Sequence, residues 1–421
     1  MPRFRELHDP VTLLLDGEPI RAERREPVAV ALVAAGKLSL ARSAKFHRPR
    51  GPACFRGACD GCLARVDERP NVMTCLVPAA EGTDVKVQNT LGSRDVDFLR
   101  VTDWFFPKGL NHHELFAGVP GLQGLMQSFA RRVAGLGRLP VAASAPREAS
   151  RRTADVVIVG RGAAGMAVGV RAANAGRSVE VIDDSLEAGG TGRSLVGDDN
   201  GPWSALVTRF DGLIAAGKIR LRVGTTAAAV YGDDLLVASD DGAEIVTPRA
   251  LVLAPGAHDG VLAFEGNDLP GIVSARAAGW LLTRGVTLGE RIVVCVAPGG
   301  NGSGEAFARE VERAAAGKCP VEVVRGVPVK AEGSGRVRGV VVQVAEAERH
   351  FKADALVIDA PRAPAYELCE QAGASLRHEA CGFVPVTEKG VIRRGVYAVG
   401  EVTGAPFDVA RFEDAAEKLA L

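Results

Sequence analysis

Four cysteines, Cys54, Cys59, Cys62 and Cys75, stand in the order C-x4-C-x2-C-x12-C. Three thiolates so close in sequence can wrap one loop around a metal centre while the fourth arrives from a separate segment, and C-x4-C-x2-C is the plant-type spacing of a 2Fe-2S cluster. A structural zinc ion is the competing occupant, although zinc sites usually present two short C-x2-C pairs and this segment has one. Gly57, Ala58, Asp60 and Gly61 lie between the ligands. Small or turn-forming residues there let backbone N–H groups approach the sulfurs and offset their charge.

Further along, VVIVGRGAAG places Gly160, Gly162 and Gly165 as G-x-G-x-x-G directly after an apolar strand. Gly160 makes the turn, Gly162 lets the backbone meet a diphosphate at a helix N-terminus, and Gly165 permits close packing. Asp183, followed by Asp184, closes the next strand and can accept a ribose hydroxyl. With Ala163 and Ala164 opening the helix, these residues form a candidate dinucleotide cradle.

Three later segments bring in a family. EAGGTGRS at 187–194, with Gly190 and Arg193, ALVLAPGAHD at 250–259, with Ala254 and Gly256, and RGVYAVGEVTG at 394–404 together resemble the two-dinucleotide-binding-domain flavoproteins. That resemblance implies FAD as the cofactor. In the family the last motif ends in Gly-Asp, whose carboxylate bonds the ribitol chain. Here the pair is Gly400-Glu401, one methylene longer, so the resemblance implies that role for Glu401. The helix PFDVARFEDAAEKLA after it is expected to aim its positive end at the flavin. Gly190 and Gly256 also admit a plain reading as turn glycines.

A second glycine-rich turn, RIVVCVAPGGNGSGEAFAREVE, stands where such flavoproteins bind NAD(P)H, yet Pro298 replaces the usual first glycine and Ser303 a second small residue. The following strand ends near Arg325 in place of a ribose-binding acid. Arginine suits a 2′-phosphate, so NAD(P) binding and a vestigial packing role both stay open.

These residues need a scaffold. Two strands around a turn in VTLLLDGEPIRAER, a short helix in EPVAVALVAAG with proline in its first turn, the cysteine loop and a strand pair in LVPAAEGTDVKVQ describe a β-grasp, ferredoxin-like domain over 1–92. A helical connector with an exposed linker, PVAASAPREASRRTA, is expected over 93–153. Beyond it strands alternate with helical stretches, which predicts an α/β fold with a parallel sheet covered on both faces. Its parts are FAD-binding over 154–274 and 361–421, with an inserted NAD(P)-binding-like domain over 275–360.

Lysine plus arginine and aspartate plus glutamate both total 51, so no global charge favours nucleic acid. No apolar run is long enough for a membrane span, and MPRFRELHDP lacks the apolar core of a secretory signal, so a cytoplasmic protein is expected. Cys295, Cys319, Cys369 and Cys381 have no ligand spacing and read as small buried side chains.

The whole pattern, a β-grasp unit, a linker ending in RRVAGLGRLP and then VVIVGRGAAG, resembles the α subunit of heterotetrameric sarcosine oxidase and the subunits of opine oxidase, D-hydroxyproline dehydrogenase and hydrogen cyanide synthase. The resemblance implies an FAD and 2Fe-2S oxidoreductase that accepts electrons from a secondary amine or imino acid, with oxidation carried out on a partner β subunit of the D-amino-acid oxidase type. The folate-binding and cysteine-rich C-terminal domains of those relatives have no counterpart in this sequence, so folate-linked chemistry is not expected. Two other functions remain open: an NAD(P)H-dependent reductase feeding the cluster through FAD, and a non-catalytic FAD-binding scaffold. His112 and His113 read as solvated or packing residues, and Trp104, Phe105 and Phe106 as an interdomain wedge. No catalytic residue is assigned.

Overall fold

The computed structural model describes residues 3–43, 46–88, 90–105, 148–185, 187, 189–196, 201–314 and 319–421, together with positions 121, 122, 124, 125 and 128. Two compact units emerge, one made of Met1–Ala143, Leu262–Val296 and Val311–Ile358, the other of Ser144–Val261, Ala297–Glu310 and Asp359–Leu421.

In the first unit, β1 (Pro10–Leu15), β2 (Glu18–Glu23), β3 (Leu63–Val66), β4 (Arg69–Met73) and β5 (Asp84–Lys86) form a mixed sheet in the order β2-β1-β5-β3-β4. β1 pairs antiparallel with β2 and parallel with β5. Helix α1 (Val28–Ala34) has only seven residues, too few to persist alone, and six of them are buried. Burial holds it, at roughly 1.5–3 kcal/mol for each large aliphatic side chain removed from water. Pro27 stands at its N-cap, just outside the first turn. The expected strand pair after Cys75 is a single strand, β5, because Leu76 falls in a 3-10 turn and Pro78, lacking an N–H, joins only an isolated bridge to Pro27.

The second unit is built on β6 (Ser150–Val159), α2 (Ala163–Asn174), β7 (Val179–Ile182), α3 (Gly201–Ala215), β8 (Ile219–Arg222), β9 (Thr226–Tyr231), β10 (Asp234–Ser239) and β11 (Gly242–Leu253). The sheet runs β8-β7-β6-β11-β10-β9, with a further short strand, Val396–Ala398, parallel to β11. β8, β7, β6 and β11 are parallel, and β9 and β10 form an antiparallel arm on β11. Over its last four residues both faces of β6 are buried. Val156 and Ile158 pack with Met166, Leu206 and Phe210 on one side, Val157 and Val159 with Leu235 and Val237 on the other.

The segment read as the end of a linker, SRRTA, is strand. β11 is twelve residues long and pairs with β6 from Ser150↔Glu244 to Leu253↔Val159. The charges that suggested exposure are paired across strands, Arg152 with Glu180 at 2.6 Å and with Glu244 at 3.1 Å.

A second sheet has the order β12 (Ile272–Ser274), β15 (Ala355–Asp359), β13 (Ile292–Val296), β14 (Val321–Arg325), with β12 parallel to β15 and β13 parallel to β14. Helix α4 (Ala275–Thr283) follows β12, and α5 (Ser303–Ala314) follows the second glycine turn. Trp104, on a short helix Val101–Phe105, is 84% exposed. Phe106, His112 and His113 lie outside the described residues, as does most of the connector's expected helical stretch, LQGLMQSFARRVAGLG at 122–137. No described helix is long and apolar enough to cross a membrane.

Candidate cluster and flavin sites

The cysteine loop is folded for close approach. A Cβ on Gly61 would sit 1.9 Å from the Gly51 carbonyl oxygen, so only glycine fits. Gly57 takes φ +76°, which glycine adopts without strain. The amides of Arg56 and Ala58 donate to the Cys54 sulfur at 3.4 and 3.3 Å. Thr74, buried beside the fourth cysteine, donates through its N–H and its hydroxyl to the Cys62 carbonyl at 3.2 and 2.9 Å, tying the third ligand segment to the fourth. The Ser274 amide donates to the Ala53 carbonyl, and Phe55 packs on Trp280 with ring centroids 6.0 Å apart.

The sulfurs stand in two hydrogen-bonded couples, Cys54 with Cys59 and Cys62 with Cys75. In each couple one thiol is pushed up by its partner and by burial, Cys54 and Cys75. The other is brought down by that same hydrogen bond, Cys59 to about 6 and Cys62 in the same direction. Among the described residues no three His, Cys, Asp or Glu side chains converge on one metal ion. Two couples suit two irons, each taking two thiolates.

The dinucleotide cradle is in the second unit. The turn is tight, since a Cβ on Gly160 would lie 2.2 Å from the Ala254 carbonyl oxygen and one on Gly165 1.9 Å from that of Gly160. Gly162 differs. It caps α2, and a Cβ there would meet nothing within 4 Å, the open ground that a diphosphate needs in front of a helix N-terminus. Ala163 and Ala164 are the first two helical residues. Asp183 directly follows β7, and its carboxylate accepts from the amides of Arg161 at 2.5 Å and Ser185 at 2.8 Å. Burial pushes this carboxyl up, against the pull of those N–H groups. Asp184 beside it adds to that rise, and Arg193, which donates to the Ser185 hydroxyl at 3.0 Å, opposes it.

Gly190 has φ +67° and enters a 3-10 turn Thr191–Ser194. Gly256 has φ +79° with open space where a Cβ would stand, and Gly400, at φ +87°, would drive a Cβ to 2.6 Å from that of Ala164. Glu401 thus stands next to the start of α2. Its carboxylate accepts from the Thr191 hydroxyl at 2.5 Å and pairs with the guanidinium of Arg362, which also donates to Thr191 at 2.8 Å. A carboxylate offers about four lone-pair sites, so acceptor capacity remains for a ribitol hydroxyl. The residues present therefore fit FAD. The helix expected after Glu401, α6, runs Val409–Glu417, and Asp408 accepts from the Arg411 amide at 3.0 Å. Its first turn is capped by the chain's own carboxylate, which reduces what its positive end can lend a flavin.

Thr191 and Arg362 were not legible as site residues. Thr191 lies inside a quoted motif without a signal of its own, and Arg362 has none. Of the other cysteines, Cys295, Cys319 and Cys369 are buried as expected, while Cys381 is half-exposed.

Residues 8–90 match the model of the 2Fe-2S iron-sulfur cluster binding domain. Sarcosine oxidase subunit alpha from Rhizobium meliloti (strain 1021) is 28% identical over 346 residues, covering 76% of this chain, and that from Corynebacterium sp. (strain U-96) is 28% identical over 424 residues, covering 89%. This chain is similar to sarcosine oxidase subunit alpha. It spans 34% and 40% of those two sarcosine oxidase subunits. The fold matches the crystal structure of L-proline dehydrogenase from P. horikoshii, with a TM-score of 0.70 and 19% identity over 99% of this chain and 79% of that one. A 2Fe-2S ferredoxin-like domain followed by a two-dinucleotide-binding flavoprotein fold accounts for the architecture.

Proposed function

We propose that the chain is the FAD- and 2Fe-2S-carrying subunit of a cytoplasmic dehydrogenase complex for a secondary amine or imino acid of the sarcosine, proline, hydroxyproline or opine type. The carrying observation is that the similarity to sarcosine oxidase subunit alpha extends over as much as 95% of the chain, far beyond the cluster domain at 8–90. Bound in these sites, FAD would take electrons in pairs and a 2Fe-2S cluster would pass them on singly.

The chain's own residues bind and tune. Cys54, Cys59, Cys62 and Cys75 would hold the irons, and the amides of Arg56 and Ala58, which donate to the Cys54 sulfur, would offset thiolate charge. Gly162 and the start of α2 receive the diphosphate, Asp183 a ribose hydroxyl and Glu401 the ribitol, while Arg362 and Thr191 fix the Glu401 carboxylate. The oxidised substrate belongs on a partner β subunit resembling D-amino-acid oxidase.

The test is anaerobic addition of sarcosine, proline, hydroxyproline or an opine to the complex purified from its native host. Bleaching of the flavin and a one-electron reduced cluster signal are expected. If none of these substrates bleaches the flavin while NADH or NADPH does, the reductase function replaces this one.

A further inference from the structure

The chain holds two strand-turn-helix units of one topology. In the first, β6 leads through Gly160, Gly162 and Gly165 into α2, and its sheet neighbour β11 runs out into Ala254, Pro255 and Gly256. In the second, β13 leads through Pro298, Gly299, Gly300, Asn301 and Gly302 into α5, and its sheet neighbour β15 ends in Asp359. An uncharged tripeptide in one half answers to a carboxylate in the other.

Asp359 is 2% exposed. Its Oδ1 accepts from the Asn301 amide and its Oδ2 from the Gly304 amide, both at 2.9 Å. The Asn301 side chain donates to the Ala360 carbonyl at 2.8 Å, and the Ala297 amide to the Asp359 carbonyl at 2.9 Å, so turn and strand end are fastened together. Backbone amides at the start of a helix are the donors that a dinucleotide diphosphate uses. A Cβ on Gly162 in the first half or on Gly302 in the second would meet nothing within 4 Å, so the halves differ not in space but in the carboxylate from the neighbouring strand end that engages the second turn's amides.

We infer that Asp359 is a specificity-determining residue, an internal anion that occupies the diphosphate position of the second nucleotide-binding half and closes it to NADH and NADPH. A diphosphate brought there meets amides already engaged and a buried negative charge, and like charges at close range repel. The turn keeps the shape of a nucleotide site while its own carboxylate satisfies it. The reading deepens the proposed function, because it settles which reductants the chain refuses, and it rests on the geometry of this turn and not on the identity of the amine.

The test titrates the full-length holoprotein, anaerobically, with NADH, NADPH and inorganic pyrophosphate, following nicotinamide fluorescence and heat of binding, alongside D359A and D359N. Wild type is expected to show no saturable binding below about 1 mM. Removing the carboxylate is expected to tighten binding at least about tenfold, with D359N between the two because its amide oxygen still accepts one hydrogen bond. Saturable micromolar binding by wild type, or no gain in either folded variant, overturns the inference. Should both variants fail to fold, amide hydrogen exchange of wild type decides: protection of 297–304 that NADH leaves unchanged supports a closed turn, and new protection on adding NADH refutes it. NADH binding by wild type would leave the amine reaction standing, and failure of every amine to bleach the flavin would leave Asp359 as described.

Discussion

Glu401 and Arg362 form an ion pair with side chains only 10% and 9% exposed, joined by Thr191, which donates to the acid and accepts from the base. Breaking a buried pair by removing one partner strands a charge, at a cost of about 3–5 kcal/mol. R362L is therefore expected to lower unfolding stability by about 3 kcal/mol and to weaken FAD retention, and R362L/E401Q to lose less than the sum of its single changes. Urea unfolding of the four proteins checks this. A loss below about 1 kcal/mol for R362L would mean that the pair behaves as an exposed one.

Two glycines three residues apart, Gly162 and Gly165, separate binding from folding. G165A places a Cβ against the Gly160 carbonyl oxygen, and overpacking of this kind costs roughly 1–3 kcal/mol. G162A meets nothing in the protein, at φ −82°. It is expected to fold as wild type does while losing FAD affinity at least about tenfold. An unfolding midpoint and a count of flavin per chain separate the two. Equal flavin content in G162A and wild type would remove Gly162 from the site.

For the cluster, C62S and C75S are expected to lose most iron and the visible absorbance of anaerobically purified protein, whereas C381S is expected to keep both. Iron, sulfide and zinc analysis gives the answer. One zinc without sulfide in wild type would replace the binuclear centre by a structural zinc site.

Burial pushes the thiols of Cys295 and Cys369 up to about 12. The thiolate is the nucleophile, and at pH 8 only about one in ten thousand of these groups would be ionised. Iodoacetamide at pH 8 is expected to label Cys381, which is half-exposed, well before either. Peptide mass spectrometry reads the order, and equal rates at Cys295 and Cys381 would contradict the burial.

Asp155 accepts two hydrogen bonds from Arg177, at 2.7 and 2.8 Å, which hold its carboxyl at about 2, below its ordinary value of 3.8. A carboxyl lowered by folding stabilises fully above its unfolded value, and the contribution disappears as pH falls from about 4 towards 2. The pair is partly solvated, so D155N is expected to cost only about 1 kcal/mol at pH 6, with the gap from wild type narrowing at pH 3. A gap that widens on acidification would reverse the sign and refute the pairing.

The sequence by itself specified whatever one short segment can carry. The candidate cysteine ligands, the G-x-G-x-x-G turn and Asp183 are legible because each chemistry they suit needs fixed residue types at characteristic spacings, and spacing survives without coordinates. The alternation of strand and helix likewise announced the α/β layout. Only the tertiary structure joined Arg362 and Thr191 to Glu401, brought Asp359 to the amides of Asn301 and Gly304, and drew Ser150–Ala154 into a strand along β11. Those relationships lie between residues tens to hundreds of positions apart. They follow from which strands become neighbours in a sheet, and that pairing is decided by burial of both faces over the whole fold.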